Sequence, residues 1–205
     1  ITESGAIIYT VEIAFGDRDF AVTSPSDPHD VQLRSFHELW MKERAINLGV
    51  AHLTRQVPDW KAVAWIDADC HFARYDWANE ALHLLQHFPI LQLWSTLVNL
   101  DSNFEIRSTL ISFMSVQAKN PGLIGDYYYA DGQKFGSPGL AWAARREAWE
   151  AIGGLIDFCN LGAGDQYEAS CLMGQLDEII KTRNDLSGPF MERMRKYQEH
   201  LRRTR

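Results

Sequence analysis

The sequence predicts an α/β domain with a mostly parallel central sheet flanked by helices. Three observations lead there. Short apolar, β-branched runs alternate with helical patterns, as in folds that cover a parallel sheet with helices. One apolar run, residues 61–66, ends directly in a carboxylate, Asp67. Glycine pairs and Gly-x-Gly stretches then separate the later elements.

The elements follow in order. Residues 6–14 (AIIYTVEIA) are apolar and β-branched between Gly5 and Gly16, which predicts a buried strand. Residues 16–30 hold Gly, Asp, Ser and two Pro and predict a loop. A short strand is expected over 31–36. Leu39, Ile46, Val50 and Leu53 share one face of a helix over 38–53, with Lys42, Arg44 and Asn47 as its polar positions, and Pro58 ends that unit. The run KAVAWID reads as a central strand carrying Asp67 at its C-terminal end. Asp76 is expected to cap a helix to about Phe88, and residues 89–98 to form another strand. Residues 105–118 fit strand or helix. Residues 125–139, rich in Tyr, Gly and Asp, predict a loop. A strand over 139–144 leads to a helix over 145–152 closed by Gly153-Gly154. Gly162-Ala-Gly-Asp165 opens a further helix with Asp165 near its N-cap, and Pro189 starts a last helix to about Arg203.

Composition bounds the class. With 205 residues, 46% hydrophobic and 23% charged, the chain suits one globular domain and excludes disordered, collagen-like and coiled-coil classes. No apolar run approaches ~20 residues, so no membrane-spanning helix is expected. The opening Ile1-Thr-Glu-Ser-Gly5 is neither an initiator Met nor a signal peptide, as in a processed chain or a piece of a longer one. The net charge of −7 is uneven. Residues 181–205 carry eight basic and three acidic side chains, which leaves −12 on the body. An acidic body argues against a nucleic-acid groove across the domain, and the tail reads as the solvated face of a terminal helix. The expected division is a domain over 1–180 and a basic helical segment over 181–205. Cys70, Cys159 and Cys171 are odd in number and lack zinc-site spacing, so buried thiols in a reducing, cytoplasmic compartment are expected.

Five groups of residues carry possible chemistry. Asp67-Ala-Asp69 places two carboxylates one residue apart at a strand end, pointing the same way. Hard oxygen ligands so arranged suit Mg²⁺ or Mn²⁺ held with substrate phosphates, although a capped turn uses the same pattern. Lys42, Arg44 and Asn47 offer cations that neutralise a diphosphate, or a plain solvated helix face. Asp165 after the glycines is either a general base for a hydroxyl or a simple helix cap. His71 beside Asp69 is either a ligand or an exposed residue. Trp142 and the run Tyr127-Tyr128-Tyr129 offer rings for a sugar, or core.

In combination these pieces resemble the GT-A-fold glycosyltransferases, closest to family 2-like bacterial and phage enzymes and to the galactosyltransferase-type family with a late Gly-Gly-Glu-Asp motif. The matching stretches run in the family's order: LWMKERAINLG (39–49), VAWIDAD (63–69), GSPGLAWAARRE (136–147), then IGGL (152–155) and LGAGD (161–165). The resemblance covers roughly residues 5–175. It implies a GT-A-type nucleotide-diphospho-sugar transferase domain, incomplete at its N-terminus, because the chain opens at what resembles the family's second strand. It implies that Asp67 and Asp69 bind the divalent ion, Asp69 more directly, and that Lys42, Arg44, Asn47 and Asp67 line the nucleotide-sugar site. Glu12 falls where an acid contacts the base. Asp165 looks like the catalytic base of inverting members, with Trp142 and Gly164 near the acceptor or sugar. The implied cofactors are Mn²⁺ or Mg²⁺ and a nucleotide-diphosphate sugar, a UDP-sugar first. The implied partner is a hydroxyl-bearing acceptor: glycan, lipid, protein or modified base. Two features depart from the pattern. The late His that completes the family's metal site is missing, since the only His after Asp165 is His200 in a basic helix, and Gln166 follows Asp165 while Ala163 occupies part of the glycine motif. Two other readings compete: a haloacid dehalogenase-type phosphohydrolase with Asp67 as nucleophile, and a non-catalytic GT-A-like module that binds a glycan or partner.

Overall fold

The computed structural model describes residues 4–121, 136–183 and 185–204. It is a mixed α/β structure of two compact units, residues 1–91 with 143–164 and residues 92–142 with 165–205.

The first unit begins with β1 (Thr10–Phe15) and β2 (Asp30–Ser35), which pair in parallel from Thr10 opposite Asp30 to Phe15 opposite Ser35. Helix α1 (Lys42–Gln56) packs on β1 at Gly49. A Cβ there would meet Val11 Cγ2 at 2.7 Å, so the close approach requires glycine. The chain returns as β3 (Ala62–Ile66), turns through Asp67–Cys70 and enters α2 (Trp77–Leu84). Trp60, Trp77, Leu85 and Trp149 are buried, and Trp65 meets Trp149 edge to face at 5.4 Å. Asp76 holds the N-cap position of α2 but makes no cap bond, because Arg74 takes both its carboxylate oxygens.

Strand β4 (Ile90–Gln92) and strand β7 (Ala141–Arg145) join β3 in a three-stranded sheet of order β3-β7-β4. Arg145 N–H donates to Pro89 O and Leu93 N–H to Ala141 O, the crossed order of an antiparallel pair. β7 is the buried centre, and β3 is a half-buried edge strand rather than the expected central one. Helix α4 (Arg146–Ile152) follows and stops at Gly153, whose φ of 76° is a left-handed C-cap.

The second unit holds a hairpin of β5 (Thr96–Leu100) and β6 (Ile106–Ile111), paired antiparallel. Ser112 ends β6 and caps α3 (Phe113–Lys119), its side chain accepting from Ser115 N–H. Helices α5 (Gly164–Met173), α6 (Leu176–Thr182) and α7 (Gly188–Thr204) complete the chain. α7 buries Met194, Gln198 and Leu201, and Gln198 Oε1 accepts from Leu176 N–H at the start of α6. From Gly188 to Thr204 the basic tail forms an amphipathic helix, while Lys181 and Thr182 close α6. The charged face of α7 is laced by Glu192–Lys196 and Glu199–Arg203 pairs.

The expectation of a mostly parallel sheet is corrected. The described strands form short, separate sheets, and only β1–β2 is registered as parallel. Apolar runs announce strands, but strand sense and order are set by partners far away in sequence. The predicted strand over 6–14 begins only at Thr10, leaving Ile7 and Ile8 exposed.

Candidate functional site

The first two turns of α1 are the hub of the first unit. Lys42, Arg44 and Asn47 reach two other segments, the end of β3 and residues 155–157. Lys42 Nζ donates to both oxygens of Asp67, at 3.1 and 3.3 Å, where β3 ends. Arg44 pairs with Asp157 at 2.8 Å. Asn47 grips a backbone on both sides, its Nδ2 donating to Leu155 O at 2.9 Å while Leu155 N–H donates to its Oδ1 at 2.8 Å. Two such bonds contribute roughly 0.5–1.5 kcal/mol each. In the fold the Asn47 amide locks the turn after α4. Arg44 differs, since its pair is largely exposed and such pairs are weak, so its guanidinium can be yielded to a phosphate.

Between them lies Glu43, an acid only 5% exposed. It faces Gly164, the first residue of α5, where a Cβ would lie 2.6 Å from Glu43 Oε1. Glu43 therefore leaves no room for a side chain at residue 164. The sequence held a signal for this. Glu43 falls on the same helical stripe as Leu39, Ile46, Val50 and Leu53, where a surface acid does not belong.

Asp67 is half-buried and Asp69 exposed. Cys70, between that pair and α2, has its thiol pushed up to about 11, first by burial and then by the Asp67 and Asp69 charges. His71 is exposed. Among the described residues no group of three or more His, Cys, Asp or Glu is placed to hold a metal ion. Two carboxylates fit an ion shared with a diphosphate, since Mg²⁺-type sites use one or two carboxylates with substrate phosphates and water. They do not make an all-protein cage.

Glu12 is engaged within its own chain. It accepts from the backbone N–H groups of Ala21 (2.6 Å), Val22 (3.1 Å) and Thr23 (2.9 Å) and from the Thr23 hydroxyl (2.6 Å). The Thr23 hydroxyl and then the Ala21 amide hold its pKa down to about 2, from an ordinary 4.5. The carboxylate ties the 16–30 loop to β1, which leaves it unsuited to reading a base.

In the second unit, Asp165 lies in the first turn of α5. Its Oδ1 accepts from Gln166 N–H, and its Oδ2 rests against Gly139, where a Cβ would come within 2.7 Å. The Gly139 segment is itself fixed: Trp94 Nε1 donates to Gly139 O at 3.1 Å and Gln92 Nε2 to Ser137 O at 2.8 Å. Asp165 is partly exposed. Trp142 is buried with its indole N–H on Pro138 O at 2.7 Å, so it is core and not a sugar platform. The run Tyr127–Tyr129 lies outside the described residues.

Among the described residues no helix is long and apolar enough to cross a membrane. No known protein family, curated protein or solved structure matches the chain.

Proposed function

We propose that the chain is a glycosyltransferase of GT-A type that moves a sugar from a nucleotide diphosphate to an acceptor hydroxyl. The observation that carries this reading is the Lys42–Asp67 contact, which sets a cation of α1 against the first carboxylate of Asp67-Ala-Asp69 at the end of β3. A cation beside a carboxylate pair is what a diphosphate leaving group needs on its two sides. Asp67 and Asp69 would hold Mn²⁺ or Mg²⁺, which when bound supplies Lewis-acid neutralisation of the phosphates. Lys42, joined by Arg44 on release from Asp157, stabilises the negative charge that develops on the leaving nucleoside diphosphate. By the sequence resemblance Asp165 is the base: it would take the proton of the acceptor hydroxyl as that oxygen bonds to the anomeric carbon and the nucleoside diphosphate leaves, with inversion of configuration.

The test is a thermal-shift and hydrolysis screen of UDP-, GDP- and TDP-sugars with Mn²⁺. One nucleotide sugar should raise the melting temperature and be slowly hydrolysed, with hydrolysis lost in Asp69→Ala. Phosphatase activity abolished by Asp67→Asn would instead establish the phosphohydrolase. Glycan binding with no response to any nucleotide sugar would establish the non-catalytic module.

A further inference from the structure

Immediately before α1, a second feature lies outside the site just described. Trp40 is half exposed, its chain neighbour Leu39 is 40% exposed, and Leu161, next to the Asn160 that Trp40 meets, is 96% exposed. Phe36, four residues before Trp40, is 84% exposed. Large apolar side chains gathered in the open are informative where scattered ones are not. The platform is also pre-organised. Trp40 N–H donates to Asn160 O at 3.0 Å, which ties the 36–40 and 160–161 segments together. Lys42 Nζ lies 5.7 Å from the centre of the Trp40 ring, and the same ammonium holds Asp67. One ammonium thus meets both the Asp67 carboxylate and one face of the half-exposed Trp40 ring.

We infer that the Trp40 indole is the stacking platform for the nucleobase of the donor; this rests on the glycosyltransferase reading above. A diphosphate at Lys42 carries a flat base a few bonds away, and Trp40 is the exposed ring that borders that cation. Glu12, where a base contact was expected, is bound on both oxygens by the 21–23 segment. Stacking needs only a π-face, so the platform tolerates different bases and leaves their choice to other groups.

Isothermal titration of UDP, GDP, TDP and uridine, with Mn²⁺, tests this on the wild type, Trp40→Ala and Trp40→Phe. Trp40→Ala should weaken UDP and uridine alike by about tenfold, and Trp40→Phe should restore most of the affinity. Should Trp40→Ala fail to fold, the upfield ring-current shifts of uracil H5 and H6 on binding the wild type, reduced in Trp40→Phe, carry the same information. Their absence overturns the inference. UDP binding unchanged in Trp40→Ala overturns the base platform while leaving the glycosyltransferase reading intact. A loss confined to UDP-hexose, with UDP and uridine unaffected, assigns the ring to the sugar and overturns it too. No binding of any of the three diphosphates to the wild type overturns both readings.

Discussion

Glu12 sits mid-strand on β1 with four donors on its carboxylate, all from Ala21, Val22 and Thr23. Its depressed pKa has a definite consequence for stability. Between pH 4.5 and about 2 the unfolded chain binds more protons at this group than the folded one does. The contribution is therefore fully present above about 4.5 and is lost as pH falls toward 2. In urea denaturation, Glu12→Gln should be less stable than the wild type at pH 7, and the gap should narrow at pH 4 and again at pH 3. A gap independent of pH would show that the carboxylate's charge is not what holds the loop. The identity of Glu12 was plain in the sequence, but its role was not. An acid in a strand looks the same whether it faces a ligand or a loop, and only the return of residues 21–23 to its oxygens decides. The same holds for Asn47, which the helical pattern placed correctly on α1 while its partner, Leu155, lies more than a hundred residues away.

Elements were legible where local chemistry marks their ends. The helix over 145–152 with its Gly153 stop is read from neighbours in sequence, and α4 occupies Arg146–Ile152. The ambiguous stretch over 105–118 divides into β6 and α3 because Ser112, buried at 1% exposure, turns from extended backbone into a helix cap. α6 was not foreseen, since seven residues are too few to show a helical period. The turn after α4 supports a prediction at this scale. Gly154 has φ of 87°, and a Cβ there would lie 2.8 Å from Asn47 Oδ1. Gly154→Ala should cost about 3 kcal/mol, combining left-handed strain with overpacking. Urea denaturation measures it. In an Asn47→Ala background the overpacking should disappear and the strain remain, so the two substitutions should be non-additive. A loss below about 0.5 kcal/mol in the single variant would mean that Asn47 yields freely and does not lock the turn.

At the scale of the whole molecule, three thiols stand in a chain without a disulfide among them. Cys159 and Cys171 are buried, and the Cys70 thiol is held up to about 11. Native protein at pH 8 should therefore leave all three unreacted with a disulfide reagent over minutes, while denatured protein reacts at all three at once. One fast thiol in the native protein would contradict the placement of Cys70. Composition, periodicity and glycine punctuation by themselves determined that this chain is globular and mixed α/β, where most helices lie, and that Asp67 stands at the end of a strand. Each of those properties depends on residues within a few positions of one another. Tertiary structure alone decided that β3 is an edge strand beside a central β7, that Lys42 meets Asp67 while Glu12 and Asn47 serve backbone, and that Trp142 is core while Trp40 is open. These depend on contacts between distant segments, and in such contacts one residue type serves equally well as ligand, clamp or filling.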